Sequence, residues 1–121
     1  GNQNTEKLVA AMGDTAYRYM DSSRTTHDYA ARICSDLSLT HNLIVYDDWF
    51  LPSRDELTAM KQNLHDFQLG GFSYDEYWSS SETLDPPYYA PIISWLHDFR
   101  YKNIANLTKQ ELCYVRPIRA F

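Results

Sequence analysis

Two cysteines, four histidines and a run of three serines are the residues of this chain best suited to chemistry. Cys34 and Cys113 match neither a zinc spacing nor a redox pair. A thiol attacks only as thiolate, in an exposed electropositive setting. Cys34 falls on an apolar stripe, so an inert core thiol is expected there. His27, His41, His65 and His97 show no H-x-x-x-H or H-E-x-x-H spacing. His65-Asp66 and His97-Asp98 are adjacent pairs, and adjacent side chains diverge on a helix or a strand. Solvated histidines are the expectation. Ser79-Ser80-Ser81 lacks the flanking glycines of a nucleophile elbow, so its hydroxyls should bond nearby backbone. These spacings predict a non-catalytic domain with no cofactor and no metal.

Binding chemistry has better candidates. Segment 83–113 carries Tyr88, Tyr89, Trp95, Phe99 and Tyr101, with His97, Asp98, Arg100 and Asn103 among them. Exposed aromatics with polar neighbours stack on a sugar face and bond its hydroxyls. The competing reading places Trp95 and Phe99 in the core and leaves the tyrosines at loop edges. The ligand-binding candidates are therefore Tyr88, Tyr89, His97, Arg100, Tyr101 and Asn103. Asp85, Asp98 and Glu111 balance Arg100, Lys102 and Lys109, so no basic patch for a sulfated polymer is present. Arg116 and Arg119 are expected to pair with carboxylates, Glu56 and Glu82 being candidates. Recognition of an anionic ligand is the alternative.

Composition bounds these readings. At 121 residues, one domain spanning 1–121 is expected. Apolar residues make up 44% and charged residues 22%, which argues for a packed core. The net charge of −5 offers no basic stripe for nucleic acid. No apolar run is long enough to span a membrane, so no membrane insertion of this domain is expected.

The elements that must position the candidates read as helices followed by short strands. Residues 1–12 form a helix capped by Asn4 or Thr5 and ended by Gly13. A second helix starts after Thr25 or Thr26, with Ala30, Ile33, Cys34 and Leu37 on one face. Leu43–Tyr46 is a small strand or a buried loop. Ser53 and Glu56 spell a capping box, after which Leu57, Met60, Leu64 and Phe67 form a stripe. Arg54, Asp55, Lys61, Gln62 and His65 stay wet. Gly70-Gly71 closes the segment with positive φ in at least one residue. Tyr77–Ser81 and Ile92–Phe99 read as strands. Residues 83–91, with Pro86, Pro87 and Pro91, read as a loop. Residues 100–110 read as a turn and Leu112–Phe121 as a last strand. The order means α+β with an antiparallel sheet.

DWFLPSRDEL, GGFSYDEYWSSSE, the Trp95-to-Phe99 strand and YVRPIRAF, in this order, resemble the bacterial Lcl C-terminal domain family. The resemblance covers nearly the whole chain. It implies a C-type-lectin-like fold, two or three helices on a small twisted antiparallel sheet with long loops. It also implies an exported, periplasmic or surface-attached bacterial domain, with roles in adhesion and polysaccharide binding. The implied partner is a glycan or surface polymer. A protein ligand on a variable display surface is the alternative, and an enzyme of the formylglycine-generating fold the third reading. In true C-type lectins a disulfide joins the first long helix to the last strand. Cys34 and Cys113 fall at those places, so the resemblance raises a disulfide between them, with two free thiols as the alternative. It would close about 80 residues and contribute roughly 4–5 kcal/mol. The calcium motifs of true lectins are not matched by Asp85-Pro86-Pro87 or Trp95-Leu96-His97-Asp98.

Overall fold

The computed structural model describes residues 1–13, 28–83 and 93–120, together with the backbone of 16–18 and 21–26. It is a small α+β domain with three α-helices and antiparallel strand pairing. The helices are α1 (Asn2–Met12), α2 (Ala30–Ser35) and α3 (Arg54–Asn63). The strands are β1 (Ala16–Arg18), β2 (Asp21–Thr26), β3 (Leu39–His41), β4 (Ile44–Tyr46), β5 (Glu76–Glu82), β6 (Ile93–Asp98) and β7 (Asn103–Thr108). β1–β2 and β3–β4 are two-stranded hairpins, and β5-β6-β7 is a three-stranded sheet.

Local signals hold where they are self-contained. Ser53 Oγ accepts the Glu56 N–H, and Glu56 Oε2 accepts the Ser53 N–H at 2.7 Å, so the capping box closes. Gly70 and Gly71 both take positive φ, 81° and 59°. Gly13 ends α1 at φ 63°. Two serines of the run bond backbone as expected, whereas Ser80 Oγ is buried without a partner. Ser79 Oγ donates to Trp95 O at 2.7 Å, and Ser81 Oγ accepts the Arg54 N–H at 3.1 Å. The run sits where the β5–β6 register shifts, between Trp78 and Glu82. It fastens β6 and the start of α3 to the same bulge.

Other expectations are corrected. α1 begins at Asn2, and Thr5 is buried inside it, its hydroxyl accepting the Leu51 N–H at 3.0 Å. α2 is only six residues long, because Thr25 and Thr26 belong to β2. Cys34 is fully buried as expected, but Ile33 is exposed and Ala31 takes its place. The stripe after Ser53 breaks because α3 ends at Asn63 and a 3-10 turn, His65–Phe67, follows. Phe67 is left exposed, whereas Lys61 and His65, expected wet, are buried. Residues 100–110 contain β7 rather than turn alone.

The closing stretch is not a regular strand. It makes isolated bridges, Phe50 with Ile118 and Tyr77 with Tyr114. Phe50 and Ile118 exchange both backbone bonds at 2.8 and 3.0 Å. Tyr114 donates its N–H to Glu76 O and accepts that of Trp78 on the outer edge of β5. Pro117 has no N–H to continue a ladder.

Two apolar clusters fill the interior. One joins Ala31, Cys34, Leu51, Trp78 and Leu96, with Leu8, Val9 and Cys113 packed against it. The other joins Leu57, Tyr77 and Phe99, with Met60 and Phe72 against it.

Candidate functional site

β6 ends in the turn that carries two of the predicted site residues, Arg100 and Tyr101. Asp98 is buried, and its Oδ1 accepts the backbone N–H of Arg100 at 2.8 Å and of Tyr101 at 3.3 Å. That carboxylate fixes the turn, and Lys102 completes it at φ 60°. Tyr101 is consequently held outward, 75% exposed. The Arg100 guanidinium lies 5.6 Å from its ring centroid. Arg100 also lies within 3.4–3.7 Å of Asp98, Glu76 and Asp75. Three carboxylates around one guanidinium leave it poorly suited to an added anion. Asn103 follows at the start of β7 and is exposed.

The remaining predicted residues are placed elsewhere. Tyr88 and Tyr89 lie outside the described residues. His97 faces inward and is 3% exposed, which corrects the expectation of a solvated ring. Its ring meets Phe99 edge-on at 5.3 Å, since both faces of β6 are covered. Arg100 and Tyr101 are thus brought together and Asn103 is exposed nearby in sequence, while His97 is buried against Phe99. Trp95 is half-buried under the Arg54 guanidinium at 5.5 Å, and Phe99 is fully buried.

Arg116 and Arg119 are engaged, but not by the expected glutamates. Arg116 donates to Gly70 O at 2.6 Å and lies over the Phe72 ring. Arg119 pairs with Asp48 and lies 4.5 Å over Tyr46. Its hydrogen bond holds the Asp48 carboxyl below the usual carboxylate range. Glu56 serves the α3 cap, and Glu82 meets Lys109.

Cys34 and Cys113 are free thiols packed against the same cluster. Burial pushes each up to about 12, the acidic neighbour Glu76 adding to the effect at Cys113. Both are therefore protonated at neutral pH, the opposite of an activated nucleophile. No group of three or more His, Cys, Asp or Glu suited to a metal ion occurs among the described residues. No helix among them is long and apolar enough to cross a membrane.

Two features were missed by sequence reasoning. The first is a cavity of about 330 Å³ lined by Glu6, Ser35, Asp47, Asp48, Trp49 and Phe50, among others. Trp49 looks like pure scaffold in the sequence, and its indole N–H does bond Tyr46 O at 2.9 Å. The adjacent acids were the available signal, but the α1 and α2 contributions come from tertiary packing. The second is a buried polar group at the α3 end. Lys61 Nζ lies 2.7 and 2.8 Å from the two oxygens of Asp66, and His65 Nδ1 lies 3.7 Å from the same carboxylate. That hydrogen bond from Lys61 lowers the Asp66 pKa. The helix stop between the pair disguised the contact.

No protein-family model matches this sequence, and no curated protein matches it significantly.

Proposed function

We propose that this chain is a C-type-lectin-like, non-catalytic ligand-binding module of an exported bacterial protein. Its preferred ligand is a glycan or surface polymer, bound through the loops of 83–113. The observation that carries the reading is Tyr101, an aromatic ring 75% exposed on a turn pinned by a buried carboxylate. Such a ring needs little reordering before a sugar face stacks on it. Arg100 and Asn103 supply donors beside it, and the protonated cysteines support a non-catalytic role. The balanced charge favours a neutral glycan over a sulfated one.

The β3–β4 hairpin favours the second reading, an adhesive protein-binding display surface. Asn42 and Leu43 both have positive φ, forming a two-residue turn between His41 and Ile44. Leu43 at its tip is 98% exposed, and Leu39, Ile44 and Val45 are exposed behind it. Apolar side chains grouped on a projecting hairpin suit a protein partner.

A glycan array decides between them. Binding that is lost in Tyr101→Ala and retained in Leu43→Ser supports the first reading. The absence of any glycan hit, or hits indifferent to Tyr101, overturns it. Binding lost in Trp49→Ala alone moves the site to the cavity.

A further inference from the structure

His65 and His97 are buried, 7% and 3% exposed, and both meet Phe99, at ring-centroid distances of 5.0 and 5.3 Å. His65 also meets Tyr74 at 4.7 Å and Phe72 at 6.3 Å. Neither ring nitrogen of His65 has a hydrogen-bond partner, and His97 Nδ1 has none. Buried polar nitrogens without partners cost stability even when neutral, and far more when charged. Two such rings on one phenylalanine make this corner unlike the rest of the interior.

The surrounding charges are already committed. From α3, Lys61 places its ammonium on Asp66. From the 3-10 turn, Asp66 faces both Lys61 and His65. From β6, Asp98 spends its Oδ1 on the Arg100 and Tyr101 amides. Lys102 adds a positive charge that acts on Asp66, and Arg116 lies over Phe72. From β5, Tyr77 stands opposite His97 and contributes no charge. Asp66 is shared between Lys61 and His65, and a charged His97 would have to share Asp98 with the Arg100–Tyr101 turn.

We propose that His97, packed on the Phe99 ring it shares with His65, forms an acid-sensitive latch: protonating the His97 ring loosens α3 and the 3-10 turn from β6, while the Cys34–Leu96 cluster keeps the rest of the domain folded. Burial holds His97 below the ordinary imidazole range, and the Lys61 charge adds to this against the pull of Asp98 and Asp66. The folded state therefore takes up that proton at a lower pH than the unfolded chain. Its contribution to stability is complete above the unfolded imidazole value, about 6.5, and is lost as pH falls from there toward the folded value.

Hydrogen–deuterium exchange at about pH 7.5 and about pH 5, corrected for intrinsic exchange, tests the latch across the imidazole range. Protection of residues 54–67 should fall about tenfold for each pKa unit separating folded from unfolded imidazole, while α1 and α2 lose much less. An equal loss in both regions, or none in either, overturns the proposal. The H97Q variant should show the same protection of 54–67 at both pH values, and a retained acid loss overturns the proposal. Should that variant fail to fold, imidazole NMR titration of the unaltered protein replaces it. A His97 midpoint that coincides with the loss of protection supports the latch, and a midpoint that does not coincide overturns it.

Discussion

The two interior clusters differ in kind. Around Cys34 and Leu96 the side chains are mainly aliphatic, and Ser79 and Ser94 find backbone partners while Ser80 Oγ is buried without one. Around Phe99 the rings are aromatic and interleaved with Lys61, His65 and His97. Both bury residues completely, Leu96 and Cys34 in one, Leu57 and Phe99 in the other. The first cluster depends on shape alone. The second depends on shape and on the protonation of His97, whose Nδ1 is buried without a hydrogen-bond partner. Equal burial thus gives unequal sensitivity to the solution.

Phe99→Ala should sharpen this contrast most. It removes the ring that joins both histidines and should cost about 3–5 kcal/mol, read as a shift of the denaturant midpoint. It should also flatten the loss of stability between neutral and mildly acidic pH. Leu96→Ala should cost about 2–5 kcal/mol in the other cluster. There the acid-dependent slope should stay at its original value; a flattened slope would break the comparison. Ser53→Ala should cost about 1 kcal/mol through the lost α3 cap. Protection should fall at 54–63 by exchange, with α1 unaffected. Smallest is Leu43→Gly, which relieves a non-glycine φ of 66°. It should change stability by less than about 1 kcal/mol, since the relief offsets the greater freedom of the unfolded glycine. A thermal melt reads it, and a loss above about 2 kcal/mol would mean that Leu43 is held by packing after all.

The α3 cap, the double glycine and the β5 and β6 strands were legible because each rests on neighbours in sequence. Ser53 and Glu56 are three residues apart, and the serine hydroxyls could be read as backbone partners from their type. Burial was less legible. Lys61 and His65 look like the wet face of a helix, but the helix stops at Asn63 and the 3-10 turn rotates His65 inward. His97 is expected to be solvated as a polar residue, yet β6 is covered on both faces and buries both His97 and Asp98. The β-branched run at Ile44-Val45 correctly suggested a strand, but no pattern of period two says what covers it. Of the candidate residues, Arg100 and Tyr101 are exposed in the turn after β6 and Asn103 is exposed at the start of β7. The Trp49 cavity went unseen because α1, α2 and the closing stretch all contribute to it.

The bridge from Tyr114 to β5 sets an order on the making of this protein. The capped α3 can form as soon as it is synthesised, being local. β5 and β6 can pair soon afterwards. The outer edge of β5 stays open until Tyr114 arrives, and Asp48 waits 71 residues for Arg119. An unpaired strand edge is a template for another chain. Tyr114→Pro, which removes the N–H that Glu76 O accepts, should therefore raise the aggregated fraction on refolding.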